Sequence, residues 1–198
     1  GFALCLAYLL FLLIYFREYE LKSRTEQYNE LINMQLRSLR SEIEQAKKIL
    51  LLGNEGFWDV LKRLYQSQGT WESQKPIILK ELKQCKYSVC YRSVLVEENE
   101  KKLLLEAVTE NPYNLFYYAQ FLVMDYPNEI YELCANYIRE QCAQATDRRL
   151  YKKVCKDLLQ LIKWKGNATA KLLVDEFKAT YPRRSALLDE LQKVEKKL

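Results

Sequence analysis

The chain has 198 residues, 31 Lys and Arg against 26 Asp and Glu for a net charge of +5, and no histidine at all. Without imidazole, the commonest general acid–base group is excluded, and so is the Glu-x-x-His pattern that helical carboxylate metal sites need. Only five glycines and four prolines interrupt it, and its Leu, Lys, Glu, Gln and Ala content favours helix over strand, so an all-α fold is expected.

Residues 2–16 form a run of fifteen without a charge, Gly, Pro or Asn. As helix this is about 22 Å, short of the roughly 20 residues that a bilayer core requires. Nothing basic precedes the run, whereas Arg17, Lys22 and Arg24 follow it. A signal peptide has the opposite order. The pattern is that of a membrane helix leaving on the cytoplasmic side, so residues 1–16 read as the end of a transmembrane helix, with residues 17–198 cytoplasmic. A signal-peptide core and a buried soluble helix are the alternatives.

From residue 17 the helix is expected to continue without a breaker to Gly53. Leu21, Thr25, Tyr28, Ile32, Leu36, Leu39, Ile43, Ala46 and Leu50 follow at steps of three and four, with one additional four-residue step between Ile32 and Leu36. So narrow a seam, flanked by Arg37, Arg40, Glu42 and Glu44, suits a coiled coil with a stutter. Residues 17–52 are therefore read as a stalk, and a parallel homodimer through residues 21–50 is expected. The alternative is an amphipathic helix packed on its own domain.

The stretch "YFREYELKSRTEQYNELINMQLRSLRSEIEQ" resembles the last membrane span and signalling helix of GHKL-type sensor histidine kinases. The resemblance covers about the first 48 residues. In that family the helix leads to a phosphoacceptor His and a nucleotide-binding domain with a Gly-rich box. Neither is present here, so kinase activity does not carry over.

Beyond Gly53 the apolar faces widen. Residues 57–65 read as a short helix ending near Gly69. Thr70 is placed to cap a helix through "WESQKPIILKELKQC", with Pro76 tolerable only where regular helix begins. Residues 87–96, "YSVCYRSVLV", have strand composition but no second strand to pair with, and are read as helix. "EENEKKLLLEAVTENP" and "YNLFYYAQFLVMDYP" follow as helices closed by Pro112 and Pro127, and Pro127 opens the next. Asp147 caps "RRLYKKVCKDLLQLIKWKG", Gly166 supplies a left-handed stop, Asn167 caps the following helix, and Ser185 starts the last. Short connections make consecutive helices antiparallel. Residues 53–198 are thus expected to be a stack of helical hairpins, TPR-like or solenoid-like. Leu104, Val108, Phe116, Phe121, Leu133, Tyr137, Leu150, Val154, Leu158, Ile162, Leu173, Phe177, Leu187 and Leu191 are its expected core.

The segment from "YELCANYIREQC" to "ATYPRRSALLDEL" resembles the C-terminal helical region of bacterial SWIM zinc-finger proteins, most specifically in the turn Tyr181, Pro182, Arg183, Arg184. The likeness extends back to about residue 100. The family's Cys-x-Cys and Cys-x-His motif is absent, so zinc binding does not carry over. Two unrelated resemblances in one chain also raise a junction between fused parts near residues 48–52.

Six cysteines without a two-residue gap read as reduced thiols on apolar helix faces; neither metal nor cofactor is expected. Residues 97–146 hold nine acids against three bases, whereas residues 147–198 hold fourteen bases against seven acids. Arg148, Arg149, Lys152, Lys153 and Lys156 form a basic stripe, with Arg183 and Arg184 in a turn. Tyr117 and Tyr118 cannot both face inward, so one is a surface-contact candidate. These residues are the candidate binding surface, and a protein partner is expected. The sequence reads as a non-enzymatic, membrane-tethered helical scaffold. Its alternatives are a signal-relay fragment of a sensor kinase lacking the catalytic domain, and nucleic-acid binding through the basic helices.

Overall fold

The computed structural model describes residues 2–85 and 88–198, and the side chains of residues 9–85 and 89–198. All secondary structure among these residues is helical, in ten helices. They are α1 Phe2–Leu51, α2 Phe57–Ser67, α3 Trp71–Gln84, α4 Ser88–Glu97, α5 Lys101–Glu110, α6 Leu115–Ala119, α7 Pro127–Gln144, α8 Arg148–Lys163, α9 Asn167–Thr180 and α10 Ser185–Glu195. The chain divides into two compact units, Gly1–Tyr91 and Arg92–Leu198.

In the first unit α1 runs unbroken for 50 residues, about 75 Å at 1.5 Å per residue. It stops where the sequence changes sign of backbone twist. Gly53 has φ +97°, and the bonds Gly53 N–H to Leu50 O (2.9 Å) and Asn54 N–H to Ile49 O (3.3 Å) close the orphaned carbonyls in a Schellman turn. Gly69, at φ +67°, ends α2 in the same way. α1 packs on α2, and α2 on α3. The core comprises Ile43, Ala46, Leu50, Trp58, Leu61, Trp71, Ile78, Leu79 and Leu82, with the Trp58 and Trp71 rings edge to face at 5.2 Å.

Two expectations in this unit change. Thr70 occupies the N-cap position of α3, but its hydroxyl donates back to Tyr65 O and caps nothing. Pro76 lies inside α3, in its second turn, where the helix forgoes one early backbone bond instead of starting afresh. No helix among the described residues is long and apolar enough to cross a membrane: the charges from Arg17 onward cut the apolar run of α1 short.

In the second unit α7, α8, α9 and α10 pack sequentially, with α7 also on α9 and α8 also on α10; α6 joins α5 and α7. α8 begins as its sequence demands, Asp147 Oδ1 accepting from Leu150 N–H at 2.9 Å. Its end differs from expectation. Lys165, not Gly166, takes the left-handed conformation (φ +67°), while Gly166 sits at φ −83°. Gly166 suits a close approach, because a Cβ there would lie a tight 3.1 Å from Leu161 O and 3.2 Å from the Tyr131 ring, and both neighbours would have to give. Asn167 is accordingly the first residue of α9 and does not cap it. The expected long helix over residues 113–126 is only α6, continued by hydrogen-bonded turns.

Of the expected core, Leu104, Val108, Val154, Leu158, Leu173, Phe177, Leu187 and Leu191 are buried. Phe116, Leu133, Tyr137, Leu150 and Ile162 are half-buried, and Phe121 is exposed. Leu115, Tyr118, Ala119 and Leu122, a single stripe at i, i+3, i+4 and i+7, fill the interior in its place, and Phe121 falls outside that stripe.

Candidate functional site

Among the described side chains of α1, those buried lie in its last quarter. Ile43, Ala46 and Leu50 are buried, but Leu21, Tyr28, Ile32 and Leu36 of the same stripe are exposed. Further up, Leu9, Leu10, Phe11, Leu13, Ile14, Tyr15 and Phe16 are each 54–66 % exposed, and they cover every side of the helix. A helix that is apolar all round belongs in a membrane or a core. Among the described residues, no element of its own unit covers this one.

The basic candidates separate into two groups. Arg148 donates through Nε to Glu190 Oε1 at 2.9 Å and approaches Asp189 at 3.6 Å, so it ties α8 to α10. Glu190 also accepts from Lys193, and these two hydrogen bonds, that of Lys193 first, hold its carboxyl below the ordinary range. Arg184 stacks 4.0 Å over the Tyr181 ring and donates to Cys142 O and Ala145 O, closing the end of α7. Arg148 and Arg184 are therefore structural. Arg149, Lys152, Lys153, Lys156 and Arg183 remain exposed, without a hydrogen bond or ion pair among the described residues. Three of these cations crowd the first turns of α8, the positive end of its dipole, where they oppose helix stability.

Asp157 lies half-buried among them. Burial raises its carboxyl to about 6, against the opposing pull of Lys153 and Lys156.

The two tyrosines part company. Tyr118 is buried beneath the Arg92 guanidinium, 5.4 Å from its ring centre. Tyr117 is 58 % exposed and packs edge to face on Phe121 at 5.9 Å. Tyr113 and Met124 are uncovered too, at 60 % and 87 %. Phe116 is taken up by Tyr137 and by a stacked Trp164 at 5.8 Å. Exposed aromatics with a Met are what protein interfaces are enriched in. Met124 was not among the candidates, although helical spacing from Leu115 already places it half a revolution away from the buried stripe.

Among the described residues no three His, Cys, Asp or Glu side chains stand close enough to hold a metal ion. Desolvation pushes the buried thiols of Cys134 and Cys155 up to about 12, and those of Cys90 and Cys142 to about 11, so all four are protonated at neutral pH. Cys85 is half-buried, and the side chain of Cys5 lies outside the described residues.

Comparison with protein families, with curated proteins and with solved structures finds no match to this chain.

Proposed function

We propose that the chain is a non-enzymatic helical scaffold, tethered to a membrane by the start of α1 and presenting its second unit to a protein partner on the cytoplasmic side. The supporting observation is the uncovered apolar girdle of Leu9 to Phe16, followed directly by Arg17, Lys22 and Arg24. Burying one large apolar side chain gains about 1.5–3 kcal/mol, so the seven of this girdle supply on the order of 10 kcal/mol toward lipid. Residues 2–16 enter the bilayer as the end of a span, and the cations at the boundary stay with the inner leaflet. In this reading α7 to α10 serve as a short stack of helical hairpins, supported by the contacts between alternate helices, α7 with α9 and α8 with α10. Tyr113, Tyr117, Phe121 and Met124 offer the aromatic and thioether surface for the partner.

The test is flotation of the purified full chain with vesicles of mixed neutral and anionic phospholipid. The chain should rise with the vesicles, and Leu10→Glu with Ile14→Glu should leave it in the dense fraction. A monodisperse monomer in buffer without detergent, which ignores the vesicles, overturns the tether.

A second reading, relay of movement from a sensor, draws on the unbroken run of α1 from the girdle to buried Leu50. It requires that one-residue insertions near Asn33 alter output with helical periodicity. Nucleic-acid binding draws only on the exposed α8 cations, and its mark would be retention that falls steeply with salt.

A further inference from the structure

We propose that the groove between α5 and α7 receives a basic amphipathic helix of a partner protein. This rests on the reading of the chain as a protein-binding scaffold, but not on its membrane tether. The groove, of volume ≈ 270 Å³, is lined by Leu105 and Thr109 of α5 and by Glu129, Glu132, Leu133 and Asn136 of α7. Leu105 and Leu133 are half-buried and form an apolar floor, whereas Glu129 and Glu132 are exposed at the wall. The volume suits one or two aliphatic side chains, below the usual range for small-molecule sites.

Charge selects the occupant. Among the described residues Glu129 and Glu132 make no hydrogen bond or ion pair, and Glu106, next to Leu105, is exposed and equally unengaged. The nearby bases are already committed: Lys101 to Asp125 at 2.6 Å, and Arg139 to Glu176 at 3.0 Å. Only Lys102 is left among the three bases of residues 97–146, against nine acids. An anionic lipid surface or a nucleic acid is repelled here. A second copy of the chain could offer two helices: the apolar face of α8 (Val154, Leu158, Leu161) is buried and leaves no anchor to insert, and the largely exposed part of α1, residues 17–44, mixes six acids with its five bases, so it is not a basic helix. The fitting ligand carries both properties on one face, an apolar residue for the floor and Lys or Arg one turn away for the wall. Glu129 and Glu132 are three residues apart, about 4.5 Å along α7, which matches cations at i and i+3 or i+4 of an opposing helix.

The probe is a fluorescent Leu–Lys peptide of amphipathic helical pattern, titrated into the full chain in neutral detergent. A scrambled peptide of the same composition and a Leu–Glu peptide of the same pattern are the controls. The patterned basic peptide should bind. Glu129→Gln with Glu132→Gln, or Thr109→Arg at an exposed position that cannot disturb the core, should weaken it by about tenfold or more. Lys152→Glu with Lys153→Glu should leave it unchanged or tighter. Equal binding of the scrambled peptide, or full binding by both groove variants, overturns the proposal. So does dimerisation of the chain that is lost on the same Glu replacements, since a second copy is then the occupant. Because the readout is peptide affinity in detergent, failure of the tether in flotation is seen separately.

Discussion

Arg92 is 2 % exposed, and its guanidinium is spent on backbone: it donates to Tyr113 O (2.6 Å), Ala107 O (2.9 Å) and Asn111 O (2.5 Å), the carbonyls at and beyond the end of α5. Burial lowers its affinity for the proton, while Tyr118 and Glu110 pull the other way, and an arginine stays charged through such shifts. Asp157 is the opposite case, a half-buried carboxylate that makes no hydrogen bond, raised by desolvation to about 6. A carboxylate raised on folding binds its proton more readily in the native than in the unfolded chain. Between its ordinary value and about 6 the native state holds the additional proton, so stability falls as pH rises through this window and the loss is complete above it. Asp157→Asn should therefore gain up to ~2 kcal/mol at pH near 7.5 and little below pH near 4. Urea unfolding of both chains at the two pH values measures the difference. Neither residue's situation could be read in the sequence. Arg92 is the one cation in "YSVCYRSVLV" and could have been noted, but its carbonyl partners lie 15 to 21 residues away.

At the scale of elements α1 is the most informative, because one apolar stripe has two fates. Ile43 is buried against its own unit; Ile32, eleven residues or about three turns above, is 52 % exposed. In detergent, Ile43→Ala should cost about 2–5 kcal/mol, as cavity-forming substitutions do, and Ile32→Ala less than about 0.5 kcal/mol. Thermal unfolding followed by circular dichroism distinguishes them. An equal cost at both positions would mean that the upper stripe is covered after all. Periodicity showed the stripe but not where the own-chain packing stops, since that depends on where α2 comes to lie. Helix ends were legible where a side chain acts locally, as with Asp147, Gly53 and Gly69. They were misread at Gly166, taken for a left-handed stop: Lys165 takes that conformation instead, and Gly166 sits close to Leu161 O and to the Tyr131 ring, a crowding in which a tertiary neighbour takes part.

For the molecule as a whole, the second unit combines an acid-rich half, residues 97–146, with a base-rich half, residues 147–198. Arg139 to Glu176 joins the two halves, but it pairs a base of the acidic half with an acid of the basic half and so offsets neither surplus, and both side chains are more than 40 % exposed. Exposed pairs are worth about 0–1 kcal/mol each and are screened by salt. Raising ionic strength from low to about 0.5 M should hence shift unfolding stability by less than about 1 kcal/mol, measured by urea midpoints at the two salts. A large loss would show that charge pairing, and not the apolar core, holds the second unit together. The same bookkeeping leaves Arg149, Lys152 and Lys153 uncommitted on one side and Glu129 and Glu132 on the other, which is why charge informs contact more than stability here.

By itself the sequence determined the all-helical class, most helix positions, the apolar opening with its basic flank and the absence of imidazole chemistry, because these depend on composition and on residues within a turn or two of each other. Only the tertiary structure decided which candidate surface residues are uncommitted. Arg148 and Arg184 went to α10 and to the end of α7, Tyr118 went inside, and the α5–α7 groove emerged. Those outcomes depend on which helix faces which, and that is settled by packing between residues far apart in the chain, for which local periodicity carries no record.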